Sequence, residues 1–401
     1  MKVLMLGWEL PPQITGGLGV ACQGLLEGLS EMEDLSLCIV VPKLWGNEAT
    51  CGARLIAAHD VAAMPSFDES ARPAWQACGG AYQRESVRSA WDYAATMDAV
   101  IREVGAVDLV HAHDWLTFPA AIQIKQRWGH PMIAHVHSTE LERAGAHANT
   151  AIVDVERRGL AAADRVIAVS RQTSRLIVEQ YGIAPDKIDV VHNAADHHPW
   201  RSPDEPRLER VVSFIGRITW QKGPSHFIEA AHKVSKQLPD VRFVMAGEGD
   251  LLAMMKALAA VRGIADRMQF PGFLDAAGVQ ALLARTTVYA MPSMSEPFGI
   301  GALEAIRSGV PVVLSSACGV SEVVRHATQV ATGDSIGLAE TIVHLLTHPE
   351  DLRRQTALAQ QEAAAWSWRH AAQAVLAAYQ VIFKPALLSR RHISPADQLT
   401  A

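Results

Sequence analysis

Cysteine is scarce in this 401-residue chain: Cys22, Cys38, Cys51, Cys78 and Cys318, with no Cys-x-x-Cys spacing. An odd, scattered set argues against a disulfide framework or a thiolate metal site, and for a reducing compartment. Long hydrophobic runs are missing too, so no integral membrane segment is expected. The apolar start Val3 to Leu6 is cut short by Gly7-Trp8-Glu9, unlike a secretory leader, and the expected location is the cytoplasm. Basic charge is not in excess: the net charge is -6 and Lys and Arg are dispersed, which gives no footing for nucleic acid. No internal repeat or low-complexity tract is present. What remains is 49% hydrophobic and 19% charged residues, enough for two domains with substantial cores.

The order of segments gives an α/β class. Lys2 to Gly7 has a buried-strand pattern, and Thr15-Gly16-Gly17-Leu18-Gly19 opens a helix to about Ser30. Short strands then recur at Ser36 to Pro42, Val107 to His111, Pro131 to His137, Arg165 to Ser170 and Ile188 to His192. Helices are expected at Val87 to Val104 and Gln172 to Gly182, while Thr50 to Ser86 supports no assignment. Such alternation predicts a parallel sheet covered on both faces. Asp196 to Pro206 breaks the periodicity and reads as a linker. The alternation restarts with strands at Arg210 to Gly216, Val241 to Gly247, Met268 to Phe270, Thr287 to Pro292 and Pro311 to Ser315. Helices are expected at Pro224 to Gln237, Leu251 to Val261, Asp334 to Leu346, Pro349 to Ala365 and Arg369 to Phe383. The expected units are residues 1–196, 207–365, a last helix within 366–384 packing back on the first unit, and a mobile tail 385–401. Two doubly wound, Rossmann-like halves place a ligand in the cleft between them, at the carboxyl ends of the strands.

Several stretches carry candidate chemistry. Met291 to Pro311 holds Glu296 and Glu304, with seven residues between them. Ile300, Leu303 and Ile306 are spaced as a helix that starts near Phe298 and ends at Ser308-Gly309. Glu296 then lies at the helix N-terminus beside anion-binding amides, and Glu304 about two turns in. The bland alternative is an ordinary helix start with a surface glutamate. Arg217 and Lys222 follow a strand end five residues apart, where a diphosphate could sit, or form a solvated basic loop. His111, His113, His135 and His137 form two His-x-His pairs, each sharing a strand face and able in principle to chelate a metal. More ordinary packing would bury one histidine of each pair and leave the other at the rim. Gly247-Glu248-Gly249-Asp250 reads as a strand-to-helix turn with plain capping, and Trp366 and Trp368 as packing anchors at a helix break.

Taken together these residues resemble the retaining two-domain GT-B glycosyltransferases, the group that includes glycogen synthases and sucrose synthases. The matching segments are Gly16-Gly17-Leu18, His111-Ala112-His113-Asp114-Trp115, His192-Asn193, Gly216-Arg217 with Lys222-Gly223, Gly247-Glu248-Gly249, and Ser295-Glu296-Pro297-Phe298-Gly299 with Glu304. The resemblance implies a nucleotide-sugar donor, ADP-glucose or UDP-glucose, held mainly by the second domain, with no metal and no further cofactor. It implies Arg217 and Lys222 on the diphosphate, Glu304 on the ribose and Glu296 on the donor sugar. Phe298, Gly299 and Ile300 would offer amides to sugar hydroxyls and phosphate. Gly16, Gly17 and Gly247 would border the donor, His137 would meet the sugar 6-hydroxyl, and Asp114 would line the acceptor side.

The resemblance to glycogen synthases makes an α-1,4-glucan the leading acceptor. Two positions depart from that pattern: Ile14 stands where bacterial glycogen synthases carry Lys, and Phe298 where they carry Cys. The alternatives are a transferase for exopolysaccharide, lipopolysaccharide or a small-molecule acceptor, and a non-catalytic protein that binds sugar nucleotides or glycans. A metallohydrolase built on the His-x-His pairs is a further one.

Overall fold

The computed structural model describes residues 1–14, 16–64, 84–195 and 209–390. Both expected α/β halves are present. The first is a seven-stranded sheet made of β1 (Lys2–Leu6), β2 (Ser36–Val41), β3 (Arg54–Ala57), β4 (Leu109–His113), β5 (Met132–Val136), β6 (Arg165–Ala168) and β7 (Ile188–Val190). The second has β8 (Val211–Ile215), β9 (Arg242–Ala246), β10 (Met268–Gly272), β11 (Val288–Met291), β12 (Val312–Ser315) and β13 (Thr328–Val330). The strand orders are β3-β2-β1-β4-β5-β6-β7 and β10-β9-β8-β11-β12-β13, and every pairing is parallel.

Alternation along the strands explains how each sheet is covered twice. Leu4, Leu6, Val40, Val110 and Ala134 face one core, while Val3, Met5, Ile39, Leu109 and Ile133 face another. The second of these faces is covered by helix Gly17–Ser30 and by the last helix, Trp368–Arg390. The two helices touch closely because Gly24 and Gly28 leave room for Trp368; a Cβ on Gly24 would run into its indole. Trp368 is therefore an anchor. The helix continues to Arg390 rather than ending at Phe383, so the expected tail begins later, and residues 391–401 lie outside the described residues. The expected linker at 196–206 lies outside them too.

Other boundaries differ for local reasons. The single helix expected at Val87 to Val104 is two, Arg84–Ala95 and Met97–Val104, broken at Thr96. The buried Thr96 hydroxyl donates to the Tyr93 carbonyl at 2.8 Å, an alternative to continuing the helix. Within the unassigned stretch, Arg54–Ala57 forms the edge strand β3 and Ala58–Val61 a helical turn.

Strand order reverses between β1 and β4 in the first sheet and between β8 and β11 in the second. Ligands of doubly wound sheets sit beyond the strand ends at such reversals. The segments that leave those four strands carry Gly16 and Gly17, Asp114, Arg217 with Lys222, and Glu296.

Candidate active site between the two sheets

Backbone crowding shapes the second-sheet wall. Gly247 leaves β9 at φ +132°, and a Cβ there would collide with the Gly216 carbonyl; one on Gly249 would collide with that of Ile218. The segment was expected to be plain helix capping, yet helix Leu252–Val261 starts without a side-chain cap. Its glycines serve close approach of two chain segments instead. Gly223 likewise presses on the Pro292 carbonyl at φ +64°, which brings the loop after β8 against the loop after β11.

That approach pairs two residues that sequence spacing left apart. The Lys222 ammonium lies 2.5 Å from Glu296 Oε2, and the same oxygen accepts from the Ser293 hydroxyl at 3.2 Å. Glu296 is 5% exposed, held through its backbone by Ala317 and Gly319. Arg217 sits between them and the first sheet, with Nη2 3.4 Å from Gln221 Oε1. Gln221 is buried, and its carbonyl accepts from the amide of Met294, which ties the two loops again.

The expected helix after Glu296 runs Ile300–Arg307. Gly299 starts it at φ +106°, with no side-chain cap and no acidic residue in the first turn. Helices Gly17–Ser30 and Pro224–Gln237 start the same way, at Gly16 and Gly223. By contrast, Thr139, Asn149, Ser170, Asp275 and Asp334 cap helices elsewhere with their side chains. The starts at Gly16 and Gly299 therefore keep first-turn amides open to an anion, whereas the one at Gly223 opens on Pro224, which has no amide hydrogen. Glu304 is partly buried one turn further along, and the buried Tyr289 phenol faces both glutamates. Burial pushes that phenol up, and the carboxylates of Glu296 and Glu304 add to it. Phe298 is packed in the core beneath, 6.1 Å ring to ring from His192.

The first sheet meets this wall directly. A Cβ on Gly16 would stand 4.0 Å from Arg217 Nε, and one on Gly17 3.9 Å from Ile300 Cδ1. Asp114 follows β4 at φ +58°, a conformation uncommon outside glycine. Its Oδ1 accepts from the amides of His137 (2.7 Å) and Ser138 (3.3 Å), so it shapes the turn after β5. Burial raises its pKa to about 6, against the opposing pull of Arg143, these amides and Arg217. Arg217 and Asp114 thus feel each other across the cleft. The turn is braced from behind by Arg143, which donates to the Ser138 carbonyl at 2.7 Å and to Glu156 at 3.0 Å. Burial pushes Glu156 up to about 7. Arg143 lies in the short helix Glu140–Ala144, which opens on a Thr139–Glu142 capping box, legible in the sequence as Thr-x-x-Glu.

The first histidine pair departs from the packing expectation, while the second follows it. His111, His113 and His135 are all fully buried and only His137 is partly so, because the last helix covers the face they share. His111 bridges Tyr379 (2.6 Å) and His135 (3.1 Å), while His113 pairs with His137 (2.9 Å). Burial holds His111 and His137 down at about 3, hence neutral. Donor atoms of Cys22, His113 and His137, and those of His111, His113 and His135, lie within 4.8 Å of one another. In the second set both His111 nitrogens are already engaged, by Tyr379 and His135. The His111 and His135 rings lie within 1° of parallel and bond to each other, and His111 stacks on His113 at 4.3 Å. In-plane lone pairs on stacked rings run side by side rather than converging. His137 Nδ1 has no protein partner among the described residues.

Known proteins agree with this architecture. The family described as "Glycosyl transferases group 1" matches residues 201–362, and "Glycosyltransferase Family 4" matches residues 59–198. Glycogen synthase of Mycobacterium tuberculosis is 29% identical over 406 residues, covering 94% of each chain. Among solved structures, sucrose-phosphate synthase from Thermosynechococcus elongatus superposes with a TM-score of 0.80 at 19% identity, covering 96% of this chain and all of that one. Anabaena HepE in complex with UDP-glucose gives 0.72 at 18% identity, covering 95% and 100%. No helix among the described residues is long and apolar enough to cross a membrane. Two doubly wound sheets, a cleft at both strand-order reversals and these family matches place the chain among the GT-B glycosyltransferases of group 1.

Proposed function

We propose that the chain is a retaining hexosyltransferase that moves glucose from ADP-glucose or UDP-glucose to an α-1,4-glucan, without a metal. One observation carries the proposal: the Lys222–Glu296 pair and Arg217 lie between uncapped helix starts contributed by both domains. Breaking the anomeric bond puts negative charge on the departing diphosphate and positive charge on the sugar ring. Arg217, Lys222 and the amides that follow Gly299 are fixed where the diphosphate charge develops, so little reorganisation is needed. Gly16, Gly17 and Gly247 let backbone approach the donor closely. Glu296 orients Lys222 and meets the donor sugar, and Glu304 holds the ribose. Neutral His137 offers Nδ1 to the 6-hydroxyl, and Asp114 borders the acceptor.

In the step itself, the acceptor oxygen bonds the anomeric carbon on the face the diphosphate leaves. The acceptor proton passes to the departing phosphate oxygen, so no carboxylate pair of the glycosidase kind is required. The glycogen synthase relative supports a glucan acceptor, and the UDP-glucose complex of HepE supports a nucleotide-glucose donor.

A second acceptor class has its own support. Ile14 packs over Gly19 at the entrance, where glycogen synthases place a cation, and Phe298 fills core space rather than offering a thiol. An exopolysaccharide, lipopolysaccharide or small-molecule acceptor is the alternative these positions favour. The test is to incubate purified protein with ADP-glucose or UDP-glucose, with and without glycogen, in EDTA. Chelator-resistant nucleotide release that rises with glycogen is expected. Release that responds only to another acceptor moves the assignment to the second class. Donor binding with no transfer to any acceptor would leave a non-catalytic binding protein, and loss of release in EDTA would refute metal independence.

A further inference from the structure

Glu322 plays no part in the site described above, yet its carboxylate bonds to three residues of the first domain. It ends the short 3-10 turn Gly319–Glu322 after β12. One carboxylate oxygen accepts from the amide of Arg171 at 2.9 Å and lies 2.8 Å from His192 Nε2; the other accepts from the amide of Gln172 at 3.0 Å. Those amides open helix Arg171–Tyr181 of the first domain, whose own cap Ser170 serves Thr173. A carboxylate from one domain thus completes the N-terminus of a helix in the other, where negative charge is favoured. Burial pushes its pKa up, but His192 and the two amides outweigh burial and hold it below the usual glutamate range. Gln172 reinforces the contact by donating to the Ala317 carbonyl at 3.2 Å.

The same short segment is fastened to the catalytic loop on its other side. The Glu296 amide donates to the Ala317 carbonyl at 3.0 Å, Gly319 donates to the Glu296 carbonyl at 2.9 Å, and Val320 to the Phe298 carbonyl at 2.6 Å. Gly319 fits only because it lacks a side chain: a Cβ would collide with the Pro297 carbonyl and stand 3.0 Å from Ser170 Cβ. Residues 317–322 therefore form a strap, with the Glu296 loop on one side and the first domain on the other.

We infer that Glu322 is a positioning residue that couples closure of the two domains to the placement of Glu296. This rests on the donor-site assignment proposed above. Without the Glu322 clasp the strap loses its hold on the first domain, and the closed population falls. A ligand that needs the closed state then binds more weakly by the same factor.

The test combines Glu322→Ala and Glu322→Gln with solution scattering of the free protein and titration with UDP and ADP. A tenfold fall in the closed fraction raises the nucleotide Kd about tenfold. The radius of gyration is expected to increase in the Ala variant and less in Gln, which keeps one acceptor oxygen. In turnover, the donor KM is expected to rise while kcat at saturating donor stays within about threefold, because donor binding restores closure. An unchanged radius, or weakened melting with unchanged Kd, overturns the proposal and leaves Glu322 a purely structural cap. Failure of wild-type protein to bind either nucleotide would instead defeat the donor-site assignment. The scattering comparison would still decide the clasp.

Discussion

Asp114→Asn should make the protein more stable relative to wild type as pH rises, and the size of the effect follows from the carboxyl's surroundings. Asp114 is 5% exposed, and burial raises its pKa from 3.8 to about 6 despite opposing pulls from Arg143, two amides and Arg217. Between pH 4 and 6 the folded state then holds more of this proton than the unfolded state. Stability falls with pH wherever the folded state binds more protons, so this group's contribution is lost as pH rises through about 6. A shift of about two units at 1.36 kcal/mol per unit gives about 3 kcal/mol between pH 3.5 and pH 7. Asparagine keeps an oxygen for the His137 and Ser138 amides and removes the titration. The difference in unfolding free energy, variant minus wild type, should climb by about that amount across the window and then level off. Urea unfolding at pH 4, 5, 6 and 7.5, followed by tryptophan fluorescence, measures it. A difference that is flat or declining with pH would refute the reasoning, because it would mean the Asp114 carboxylate is already ionised at no net cost.

Three further outcomes follow from named contacts. Lys222→Ala leaves the buried Glu296 carboxylate with Ser293, which should cost about 1–3 kcal/mol, whereas Glu296→Ala frees a partly solvated ammonium and costs less. The double variant should regain stability relative to Lys222→Ala while all three lose donor turnover by orders of magnitude; additive stability losses would mean that the pair is not coupled. Gly24→Ala drives a methyl into the Trp368 indole, so limited proteolysis should release the C-terminal helix far faster, and wild-type resistance would contradict the packing. Tyr379→Phe removes the partner of a fully buried His111 nitrogen and should cost about 1–3 kcal/mol in chemical denaturation with kcat unchanged.

The class of fold was readable because buried parallel strands leave short apolar runs, such as Val3 to Leu6 and Val312 to Leu314, separated by amphipathic helices. The glutamate stretch was readable for a similar local reason: Pro297, Phe298 and Gly299 fix a corner before a periodic run. Pairing across loops was not. Lys222 meets Glu296 only because Gly223 lets two loops touch, and no spacing encodes a contact across a separation of 74 positions. Burial of both His111 and His113 was not legible, because burial on β4 depends on Tyr379, in a helix more than 250 residues away. Glu322 leaves no signal in the sequence, since its partners Arg171 and Gln172 contribute backbone amides rather than side chains. Edge strand β3 is four residues long, too brief for periodicity to register.

The return of the last helix to the first sheet bears on how the chain is made. Trp368, Ala372, Val375 and Tyr379 complete the hydrophobic face formed by Val3, Met5, Ile39 and Leu109. A ribosome delivers the sheet residues long before the helix residues. Until the final helix emerges, the first sheet has one apolar face only half covered, by helix Gly17–Ser30, while the second domain already has its own cores around Phe214, Phe227 and Val313 and around Tyr289 and Phe298. The sheet translated first is therefore the one finished last. A premature stop between residues 190 and 368 exposes its surface to aggregation, although every residue of that sheet has been made. For the same reason, exchanging the second domain between relatives calls for two junctions, one on each side of the inserted unit, rather than a simple fusion.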